Sequence, residues 1–86
     1  TDFSIADHFG IAAIKDTYKR AFEGWKEDYK MLTELAMVVN WKVMEHHNAG
    51  HKSYAGLYSE LWAAVDHWAC ENLKGEELSY YDRTID

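Results

Sequence analysis

The chain has 86 residues and a formal net charge of −6, with 48% hydrophobic and 15% aromatic residues. That length limits it to a single domain, and so much apolar and aromatic content excludes a disordered chain. Proline is absent and Cys70 stands alone, which favours helices and excludes an internally disulfide-stapled mini-protein.

The charge is uneven. Residues 1–26 carry four acids and four bases, whereas residues 51–86 carry seven acids and three bases. Affinity for nucleic acid comes largely from Lys and Arg neutralising phosphates, so direct nucleic-acid binding is disfavoured. The longest apolar run is too short to cross a bilayer, and no charged-then-apolar leader opens the chain. A soluble cytoplasmic protein without a membrane partner is expected.

In chain order, Ser4 is a candidate cap for a short turn that contains Phe3, Ile5 and Phe9 and closes at Gly10. The first long helix is predicted over about 11–27, because Ile11, Ile14, Tyr18, Ala21, Phe22 and Trp25 recur at three- and four-residue steps. Asp16 with Arg20, and Glu23 with Lys26, stand at ion-pair spacing around that stripe. Lys15, Lys19, Lys26 and Lys30 therefore read as part of a solvated ladder rather than a basic patch.

A second helix is predicted over about 29–48, with Asp28 as its N-cap and Asn48-Ala49-Gly50 as its stop. Its stripe continues that of the first helix past Gly24, so one bent rod is the alternative. The third is predicted over about 53–74, capped by Ser53 and ended by Gly75. Its stripe holds Tyr54, Leu57, Tyr58, Leu61, Trp62, Val65, Trp68 and Asn72. Residues 76–86 read as a polar tail with two embedded tyrosines, Tyr80 and Tyr81.

Eight of the ten residues from Leu35 to Met44 are apolar. Ten helical residues make nearly three turns, so these side chains point in almost every direction. A helix apolar all round has to be covered on most sides. Three coverings are open: flanking helices of the same chain, a second copy reached through Met37, Trp41 and Met44, or a foreign helix or ligand. Trp and Met are enriched at interfaces. Tyr80 and Tyr81 join the interface candidates, because no periodicity places them inside. Asn40 either faces solvent beside Lys42 or sets a register.

Candidate chemistry is thin. His46, His47 and His51 have the spacing of half a Cys2His2 zinc site, but no cysteine pair supplies the other half. Histidines at a helix C-terminus are the simpler reading, since the dipole there favours any positive charge. Asp66 and His67 are adjacent and diverge on a helix, and nothing near Cys70 promises an activated thiol. No phosphate-binding glycine loop and no Glu-x-x-His pattern of a di-iron bundle is present. No catalytic residue and no cofactor is expected.

The segments 32–42, LTELAMVVNWK, and 72–84, NLKGEELSYYDRT, resemble parts of short uncharacterised helical proteins of bacterial phages and mobile elements. The resemblance covers under a third of the chain and offers no catalytic residues to transfer. It implies a bacterial accessory protein that binds host or element proteins.

The expected fold is all-α: a three-helix bundle in which the second and third helices form an antiparallel hairpin, with a dimer open. The expected role is a non-enzymatic protein-interaction module that buries Met37, Trp41 and Met44 against a protein partner or a second copy. The alternatives are an acidic inhibitor that mimics nucleic acid through Glu60, Glu71, Glu76, Glu77 and Asp82, and a small metal-binding protein through the histidines.

Overall fold

The structure, a computed structural model, describes residues 7–85 and is all-helical in its regular elements. A one-turn 3-10 segment at 7–9 leads into α1 (Ile11–Trp25), α2 (Tyr29–Asn48), α3 (Lys52–Asn72) and α4 (Glu76–Ile85). The expected turn around Phe3, Ile5 and the Ser4 cap lies outside the described residues, except for its end at Phe9 and Gly10.

The break between α1 and α2 is local chemistry. Asp28 takes an extended conformation, and its carboxylate accepts from the Met31 backbone N–H at 3.2 Å. That satisfies one of the donors a helix start leaves open. The two helices are therefore separate, not one bent rod.

The α2–α3 turn is equally explicit. Gly50 adopts φ +78°, a left-handed conformation that costs a side-chain-bearing residue. Around it the His51 N–H donates to the His46 carbonyl at 2.8 Å, and the Gly50 N–H to that of His47 at 3.1 Å. These are the two hydrogen bonds of a Schellman motif. A turn of three residues reverses the chain, and α3 runs back along α2 as its most extensively packed neighbour. The expected Ser53 cap is not used: α3 starts one residue earlier, with His51 at the N-cap and no side-chain cap bond.

The core is built from Ile14 and Tyr18 of α1, Leu32, Leu35, Ala36 and Val39 of α2, and Leu57, Tyr58, Leu61, Val65 and Ala69 of α3. Ring pairs tie its layers edge to face: Tyr18 on Tyr58, with centroids 5.3 Å apart, and Phe22 on Trp68 at 6.3 Å. Such pairs add about 1 kcal/mol each beyond the area they bury.

The polar tail is a correction. Residues 76–85 form α4, which packs on α2 and α3, so the chain has a fourth helix where three were expected. Leu78, Tyr81 and Ile85 form a short stripe, but surrounding charge masks it. Tyr81 is 1% exposed, and its hydroxyl donates to Asp66 at 2.8 Å. It is a core residue and offers no surface for an interface. Tyr80 is half-buried, its ring edge-on to Tyr29 at 5.4 Å, with Lys30 and Arg83 over it.

The anchoring of α4 is measurable in urea. Tyr81→Ala should cost about 3–5 kcal/mol, the range for emptying a buried aromatic site. Tyr81→Phe, which removes only the hydroxyl, should cost about 1 kcal/mol. Equal, small losses in both variants would mean that α4 does not hold to the core through this ring.

Candidate functional site

Two features of α2 stand out. The first is its uncovered face. Leu32, Leu35, Ala36 and Val39 are buried, yet Met37, Trp41 and Met44 remain 46%, 66% and 52% exposed. They recur at four- and three-residue steps and so share one stripe. Met37, Val38 and Trp41, with Glu34, line a shallow hollow on it. Neighbouring helices cover only part of the apolar surface that the sequence places on α2. Asn40 is half-buried beside this stripe.

The second is a polar cluster at the end of the α2–α3 hairpin. Asp7, delivered by the 3-10 segment, accepts from the Tyr58 hydroxyl at 2.5 Å and from Lys42 Nζ at 2.9 Å. His46 Nε2 lies 3.4 Å from the same carboxylate. The His46 ring stacks with both Tyr54 and Tyr58, with centroids 4.9 and 5.5 Å away, and is only 8% exposed. Its other nitrogen, Nδ1, is 3.1 Å from Nδ1 of the exposed His51.

Burial alone would raise the Asp7 carboxyl, but hydrogen bonds from Tyr58, Lys42 and His46 and the Lys42 charge outweigh it and hold it below its ordinary value. Burial, the Asp7 hydrogen bond and the neighbouring Tyr18 ring push the Tyr58 hydroxyl well up. Burial likewise lifts Tyr18 to about 12, although its hydrogen bond with Tyr58 opposes the rise. Both phenols thus stay protonated at neutral pH, and Tyr58 is a permanent donor to Asp7.

Of the three histidines singled out by spacing, the structure brings His46 and His51 together and leaves His47 exposed and apart from them. Among the described residues, no group of three or more His, Cys, Asp or Glu side chains is placed to hold a metal ion. Cys70 is exposed, with its thiol pushed up by partial burial and by Asp66, Asp82 and Glu71. Of the proposed acidic row, Glu76 pairs with Arg83 at 3.0 Å and Glu71 lies 3.9 Å from His67. Glu60 sits apart from them, on the rim of a cleft of about 490 Å³ that Lys15 and Lys19 also border.

Sequence reasoning missed Asp7, Lys42, Tyr54 and Tyr58 as a group. Lys42 inside the apolar run of α2 was the available signal, since a lysine on a largely buried helix face needs an anionic partner. No described helix is long and apolar enough to cross a membrane. Comparison with protein-family models, with curated proteins and with solved structures finds no match to this chain.

The cluster carries a pH signature. A carboxyl held low in the folded state adds stability above its unfolded pKa of about 3.9, and that stability is lost as pH falls through the lower folded value. Asp7→Asn should therefore be less stable than the wild type at pH 7. It should also show a shallower loss of stability as pH falls below about 4. Parallel urea titrations check this; identical acid slopes would mean the carboxylate contributes nothing.

Proposed function

We propose that this protein is a non-enzymatic interaction module that associates with a second copy of itself through the α2 face. The observation that carries this reading is the exposure of Met37, Trp41 and Met44 in line on a helix whose opposite side forms the core. Met and Trp are enriched at interface centres, and a central Trp is a frequent hot spot.

Charge supports a second copy as the occupant. Exposed Lys30 lies on the same stripe, and exposed Glu45 borders its other end. A two-fold axis near Val39 that pairs the α2 helices antiparallel sets Met37 against Trp41 of the other copy and places Lys30 within one helical turn of the other copy's Glu45. The contact is then isologous, each half of the stripe meeting the other. Exposed Glu34, which lines the same hollow, then lies opposite Met44 of the other copy.

Sedimentation velocity from about 10 µM to about 1 mM should show a monomer–dimer equilibrium across the range in which micromolar association is visible. Trp41→Asp should leave a monomer with its helical circular dichroism intact. Charge reversal at Lys30→Glu or Glu45→Lys should weaken the dimer, and the double reversal should restore it. A wild-type chain that stays monomeric throughout, or a Trp41→Asp chain that still dimerises, overturns the proposal.

A further inference from the structure

We infer that His46 and His51 form a two-imidazole site for a late first-row divalent cation of the zinc or copper class, oriented by Asp7. The argument begins with the backbone. In a Schellman turn the residue two past the helix cap folds back onto the third residue from the helix end, usually as an apolar contact. Here those positions are His51 and His46, and the contact is ring nitrogen to ring nitrogen, at 3.1 Å.

Two nitrogens that far apart, each about 2.0–2.1 Å from one ion, subtend about 95–100° at the metal. That bite lies between a square-planar and a tetrahedral edge, the geometries of copper and zinc, both of which take imidazole. The remaining positions are open to water on the exposed His51 side.

The surroundings of His46 match what a metal-ligating histidine needs. Its Nε2 faces the Asp7 carboxylate, so that nitrogen carries the proton and Nδ1 keeps its lone pair towards His51. A carboxylate on the far nitrogen is the usual outer partner of a metal-bound imidazole. Stacking with Tyr54 and Tyr58 and burial hold the ring, so little rotamer entropy remains to be lost on binding. His51 supplies its Nδ1 lone pair by moving its own proton from Nδ1 to Nε2 through solvent. Neither ring changes charge, and no redox step is involved.

Calorimetry with zinc chloride on the full chain, in a non-chelating buffer near pH 7.5, tests this. One ion per chain with micromolar affinity is expected, as two side-chain ligands hold an ion less firmly than three or four. His51→Ala, at an exposed position, should weaken binding at least tenfold. Asp7→Asn should weaken it about tenfold through the loss of the orienting carboxylate. His47→Ala should leave it unchanged. Absence of binding to the wild type, binding that survives His51→Ala, or equal loss in His47→Ala would each overturn the assignment. Circular dichroism of each variant separates lost ligation from lost fold.

Discussion

The constraint that shapes this molecule is the surplus of apolar surface on α2. A helix presenting apolar groups in nearly every direction has to be wrapped, and a chain this short has little to wrap it with. The hairpin with α3 covers one side, α1 a second, and α4 a third. What remains, at Met37, Trp41 and Met44, is the remainder of that geometry. The exposed face and the core are thus two consequences of one stretch of sequence.

This explains which parts of the fold were legible. The stripes of α1 and α3 are strongly periodic and can be read directly, and so can Asp28 and Gly50, whose chemistry ends or starts a helix locally. α4 was hidden because its ten residues carry Glu76, Glu77, Asp82 and Arg83 around a narrow stripe of three apolar positions. Its stability comes from Tyr81 reaching Asp66 and the core, and short-range periodicity does not report a contact made fifteen residues away.

The candidate sites divide in the same way. Trp41 and its neighbours were visible because they belong to one helix. Histidine spacing found His46 and His51, since a turn brings them together. Asp7 was out of reach. Its partners Lys42, His46 and Tyr58 lie 35, 39 and 51 residues away, and only the tertiary fold joins them. A half-buried carboxylate with this many donors is a specific contact, because each donor left unpaired would cost more than the pairing gains. It fixes where the chain enters α1 relative to the α2–α3 hairpin.

One further consequence follows from the acidic surroundings of Cys70. Disulfide exchange proceeds through the thiolate, and partial burial together with Asp66, Asp82 and Glu71 disfavours that form. The Cys70 sulfur is thus exposed on α3 in surroundings that oppose the form needed to couple it to a second thiol.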